Sequence, residues 1–128
     1  MKMPTEGTQH EKLVDDVLRQ TLSGQLNWKV TGADAFARDV LHGIHIFKSF
    51  VAGQYVRGED VYTLGFIERK NVDDEYGVER SYPELLVNRD DKLILLVTEY
   101  DVDRDKLERL GRVIGDRNED AKSLLGSF

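Results

Sequence analysis

The chain has 128 residues, 40% apolar and 33% charged, with a net charge of −6 and no cysteine. That is enough chain for one domain with its own core, and the composition is that of a folded protein rather than a disordered one. It excludes disulfides, thiolate-bound metals and thiol nucleophiles, and its acidity argues against direct binding to nucleic-acid backbones.

Residues 1–7 are polar and lack a signal-peptide core, so they are expected to form a flexible tail, with 8–128 as a single domain. The longest apolar run, Leu93 to Val97, is far short of the roughly 18 residues a membrane span requires. A cytoplasmic protein without membrane contact is the expectation.

Thr8 and Glu11 form a capping-box pattern, a hydroxyl at the cap with a carboxylate three residues on. Leu13, Val14, Val17, Leu18 and Leu22 follow at helical spacing, and Gly24 suits the left-handed stop, which predicts a helix over Gln9–Ser23. Leu26 and Trp28 alternate in strand fashion. Extended segments are then predicted over Ala35–Leu41, with a turn at His42-Gly43, and over Ile44–Val51. Gly53 and Gly58 mark a loop before a strand over Val61–Arg69, where Tyr62, Leu64 and Phe66 share one face.

Asn71–Gly77 reads as a polar loop. Glu84–Val87 and Lys92–Glu99 predict a hairpin around Asn88–Asp91, with Pro83 at a strand start or a sheet edge because it lacks an N–H. Leu93–Val97 is apolar at every position, so both of its faces should be covered. Helix one covers one face, and a second helix or another subunit is needed for the other. Asp105 and Glu108 suggest a further cap, Leu107, Leu110, Val113 and Ile114 form its stripe, and Gly115-Asp116 interrupts it. Asn118 is placed to cap a last helix carrying Ala121, Leu124 and Leu125. The fold class is therefore α+β: an N-terminal helix, a mainly antiparallel sheet of about five strands, and C-terminal helices.

The stretch Val17 to Trp28, with its Thr21-x-x-Gly24-x-Leu26-x-Trp28 pattern, resembles the opening of small bacterial and phage-borne proteins of unassigned function. In those, a helix ends in that pattern and leads into a β-meander. The resemblance covers about a tenth of the chain by element-level matching. It implies a helix, antiparallel sheet, helix layout and transfers no catalytic residue.

Enzyme-like chemistry has one candidate. Asp60, Glu68 and Lys70 have the residue types of a metal-dependent nuclease, in which two carboxylates hold Mg²⁺ and a lysine helps activate water. A solvated charge cluster at a strand end is much the simpler explanation of them. Asp101-x-Asp103-x-Asp105 starts like a calcium loop but has Lys106 where glycine is required and Arg112 where glutamate is required. His42 and His45 have no third ligand nearby, and a zinc site normally takes three or four. No cofactor or metal is expected.

The acidic residues Asp73, Asp74 and Glu75, with Asp90 and Asp91, would form a negative partner surface if their loops share one end of the sheet. Tyr76, Tyr82 and Tyr55 lie near these acids in the sequence, and tyrosine favours recognition surfaces. The functional expectation is a protein–protein interaction module of the immunity, adaptor or anti-host type, forming a homodimer. A small-ligand binding domain is the alternative, and a metal-dependent hydrolase follows.

Overall fold

The computed structural model describes residues 8–31, 45–73 and 78–128. Helix α1 spans Gln9–Ser23. Thr8 Oγ1 accepts from the Glu11 amide at 3.1 Å, the Glu11 carboxylate accepts from the Thr8 amide, and Gly24 closes the helix at φ 83°. The capping box and the left-handed stop thus form as the sequence predicts, because each depends only on neighbours a turn away.

Five strands follow in simple meander order, each antiparallel to the next: β1 Lys29–Val30, β2 His45–Arg57, β3 Asp60–Asp73, β4 Val78–Arg89 and β5 Lys92–Val97. The chain closes with α2, Arg104–Arg117, and α3, Glu119–Gly126. The fold is α+β, with helix, antiparallel sheet and C-terminal helices in that order.

Several boundaries differ from the sequence expectation. Gly53 does not end β2. The register shifts between Ala52 and Tyr55, and Gln54 takes a positive φ of 65°, so a bulge absorbs the extra backbone and pairing resumes to Arg57. The predicted Asn71–Gly77 loop gives up Asn71, Val72 and Asp73 to β3, which pairs them with Arg80, Glu79 and Val78. Pro83 stands inside β4, opposite Glu68, rather than at its start. However, β5 ends at Val97 opposite Leu85, so this part of β4 has lost its outer strand, the setting that tolerates a missing donor.

The helix α2 runs through Gly115 and Asp116 to Arg117. Its N-cap is Asp103, without a side-chain cap bond, while Glu108 bonds Arg104 instead of serving the predicted Asp105 cap. Asn118 does cap α3, accepting from Ala121 N at 2.9 Å. The predicted strand over Ala35–Leu41 and its turn at His42-Gly43 lie outside the described residues.

One sheet face carries Phe50, Ala52, Tyr55, Leu64, Phe66, Leu85, Val87 and Val97. Val14 and Val17 of α1 and Leu107, Leu110 and Ile114 of α2 pack onto it, so both helices lie on the same side. Ile67 and Leu86 form a separate cluster on the opposite face, with Leu93 and Leu96 packed against them. Leu93–Val97 therefore does contribute to two apolar surfaces. The buried residues of α2 join only the first of these.

At the end of α1, the Trp28 indole donates to Thr21 Oγ1 at 3.0 Å, and both side chains are buried. Thr21→Val keeps the shape and leaves the indole N–H without an acceptor. A loss of about 1–3 kcal/mol in urea unfolding is expected, the penalty for an orphaned buried donor. A loss below a few tenths would show that the bond contributes nothing net.

Candidate functional site

The helix α2 has two stripes. Leu107, Leu110 and Ile114 enter the core, while Arg104, Glu108, Gly111, Arg112, Gly115 and Asp116 lie along a neighbouring face. That second face and the sheet residues Lys48, Phe66, Glu68, Ser81 and Pro83 enclose a cavity of about 490 Å³. Its size falls within the usual range for small-molecule sites.

The glycines explain the shape. A Cβ on Gly111 would lie 2.8 Å and 2.9 Å from two atoms of the Phe66 ring, so the helix touches the sheet there because there is no side chain between them. At Gly115 nothing lies within 4 Å of the same construction. One helical turn past the contact, the space is open.

Arg104 is committed. It bonds Glu108 at 2.6 Å, Glu99 at 2.8 Å and the Ser81 carbonyl at 2.8 Å, which ties α2 to the exposed end of β4. Lys48 and Glu68, paired across β2 and β3, are 3.9 Å apart. Arg112 and Asp116 form no ion pair among the described residues, and both are exposed.

The sequence candidates fall in separate places. Asp60 begins β3 at the β2–β3 turn, and Glu68 lies eight positions further along the same strand. At about 3.3 Å per residue, that separation is roughly 26 Å, far beyond a shared metal. Glu68 and Lys70 are on the same face of β3, and only Glu68 lines the cavity. No group of three or more His, Asp or Glu suited to a metal occurs among the described residues. Asp101 instead accepts from the Thr98 amide at 2.9 Å, stabilising a turn. His42 lies outside the described residues, and His45 starts β2.

The described members of the acidic set lie far apart along the sheet. Asp73 ends β3 opposite Val78, whereas Asp90 and Asp91 form the turn after Arg89, both with positive φ. The 12 residues of β4 separate them, roughly 40 Å at strand rise. Asp74, Glu75 and Tyr76 lie outside the described residues.

Two tyrosines have structural surroundings. Tyr55 is buried and donates to Asp16 Oδ2 at 2.6 Å, joining β2 to α1. Burial and the bonded Asp16 carboxylate push the Tyr55 hydroxyl pKa strongly upward. Burial resists ionisation of Asp16, yet Tyr55, Arg19 and Arg57 outweigh it and hold its carboxyl below the usual range. Tyr82 lies between two guanidinium groups, Arg69 at 4.5 Å and Arg80 at 5.0 Å from its ring centre. Arg69 also bonds the buried Glu84 at 3.1 Å.

A second surface feature is α3. It buries no residue, and Leu124, Leu125 and Phe128 are 62%, 67% and 98% exposed. With Ala121 they recur at helical spacing, an apolar stripe turned to solvent. The helix is held at its N-terminal end instead. Glu119 N donates to the Trp28 carbonyl at 2.7 Å, Asp120 accepts from Val30 N at 2.9 Å, and Lys29 pairs with Glu119 at 3.5 Å.

The chain is thus an α+β meander domain with a charged cleft on one side and an apolar terminal helix on another. No protein-family model, curated protein or solved structure matches it. No helix among the described residues is long and apolar enough to cross a membrane.

Proposed function

We propose that this protein is a small interaction module that engages a protein partner through α3. The carrying observation is that this helix presents Leu124 and Leu125 outward, with Phe128 exposed just past its end, while burying no residue of its own. An ordinary amphipathic helix turns such a stripe toward the core, and a contiguous exposed one suits a contact surface. The absence of convergence between Asp60 and Glu68 favours this reading over a metal-dependent hydrolase. Self-association as a two-fold dimer belongs to the same proposal. It is motivated by the second apolar cluster of Ile67, Leu86, Leu93 and Leu96, on the face opposite α1 and α2.

The test compares the wild-type chain with a Leu124→Asp/Leu125→Asp variant as baits in parallel captures. Both should melt at the same temperature, because neither side chain is buried. A partner retained by the wild type and lost by the variant supports the reading. Identical captured sets, with equal melting temperatures, would remove α3 from it. Light scattering over a concentration range reports the dimer independently.

A further inference from the structure

We infer that the cleft under α2 binds a small zwitterion with an apolar body, of the amino-acid or short-peptide class. This goes beyond the proposed partner surface on α3 and stands on separate residues.

The space is the first observation. Gly111 is explained by the Phe66 ring against it, but Gly115 has neither a positive φ nor a neighbour within 4 Å. A glycine inside a helix costs about 0.5–1 kcal/mol relative to alanine, and here no contact among the described residues requires it. Its effect is to leave the space beside it in the cleft unfilled.

The charges are the second. The helix wall presents one cation and one anion, Arg112 and Asp116, and neither has an ion-pair partner among the described residues. On the sheet wall a second cation and anion, Lys48 and Glu68, pair with each other at 3.9 Å. Arg104 and Glu108 complete the lining but are bonded to each other. Among the described residues of the lining, three cations stand against three anions. A ligand of net charge meets as much repulsion as attraction there, whereas separate ammonium and carboxylate groups can each face an opposite charge. Phe66 and Pro83, both buried, supply the apolar part of the described lining and suit an apolar body between those groups. The cavity of about 490 Å³ accommodates a free amino acid or a dipeptide.

The test uses leucine, phenylalanine and the Leu-Leu dipeptide, followed by amide chemical shifts in the full chain. Saturable shifts are expected at the backbone of Gly111, Arg112, Gly115 and Asp116, with a dissociation constant of about 1 mM or tighter. N-acetylation or C-amidation of the dipeptide, each removing one charge, should weaken binding at least tenfold. Gly115→Leu, which fills the open space, should abolish the shifts while leaving the fold intact. Arg112→Gln/Asp116→Asn should weaken them without lowering the melting temperature, since both side chains are exposed. No saturation by about 10 mM for any of the three probes overturns the inference. Binding that survives Gly115→Leu, or that is indifferent to both blocking groups, overturns it as well.

Discussion

Replacing Arg69 with methionine is expected to lower stability by about 3 kcal/mol at pH 7, and by much less near pH 4, in urea unfolding. Glu84 is 4% exposed, and Arg69 Nε at 3.1 Å is its ion-pair partner among the described residues. Removing one member of such a pair leaves a buried charge with nothing opposite it, which is far more damaging than the net worth of the pair. Methionine keeps an apolar stem reaching about as far as the arginine Nε, so the change chiefly removes the guanidinium.

The pH dependence follows from the direction of the Glu84 shift. Burial raises its pKa and Glu99 adds to this, while Arg69 opposes both. A carboxyl whose folded pKa lies above its unfolded value is protonated more readily in the folded state. Its ionisation therefore erodes stability as pH rises through the interval between the two values. Loss of Arg69 raises the folded pKa further and widens that interval. The variant should thus recover relative to wild type as pH falls, because a protonated Glu84 no longer needs the cation. Asp16 has the opposite dependence: its folded pKa is depressed, so its contribution is lost as pH falls. It is present in both proteins and cancels in their difference. A destabilisation that stays constant between pH 7 and pH 4 would assign Arg69 to packing on Tyr82 instead. Combining the change with Glu84→Gln should recover most of the loss at pH 7.

Two glycines of α2 should respond to alanine with opposite signs. Gly111→Ala drives a methyl group into the Phe66 ring, which is itself 2% exposed and cannot swing aside. Helix or ring must shift, and overpacking of this kind is expected to lower stability by about 1–3 kcal/mol. Gly115→Ala meets nothing and should raise stability by about 0.5–1 kcal/mol, through a less flexible unfolded chain and a better helix former. The two substitutions are chemically identical and one turn apart in the same helix, so helix propensity alone predicts a gain at both. Thermal unfolding of the pair separates the explanations. A gain at Gly111 would mean that α2 can lift away from the sheet at little cost.

The parts of this fold legible in the sequence are those determined locally. Thr8, Glu11 and Gly24 fix both ends of α1 through bonds spanning a single turn. Glycine proved ambiguous where longer-range pairing decides. Gly53 reads as a loop, yet the ladder of β3 holds the chain in register around a bulge. Gly115-Asp116 reads as a helix end, yet α2 continues because Ile114 before it is anchored in the core and the buried Asn118 after it donates its amide to the Ile114 carbonyl.

The cleft was only partly visible for a related reason. Glu68 stands out by its chemical type, but Arg104, Arg112 and Asp116 look like any solvated helix face. The available signal was Gly111 and Gly115 four residues apart, on a different face from the Leu107–Leu110–Ile114 stripe. For the acidic residues, sequence proximity to a turn does not say which end of the sheet that turn occupies. Counting along β4 places Asp73 and Asp90 at opposite ends.

The attachment of α3 bears on how molecules of this protein meet. A sheet ends where a strand has no neighbour, and such a margin invites a strand from another chain to extend it. Here Glu119 occupies the Trp28 carbonyl just before β1, the first strand of the sheet, and Asp120 the Val30 amide within it. A helix that adds nothing to the core thus acts as a stopper on lateral growth. Severing the chain after Asn118 should leave the melting transition nearly in place while turning a discrete particle into one that stacks edge to edge.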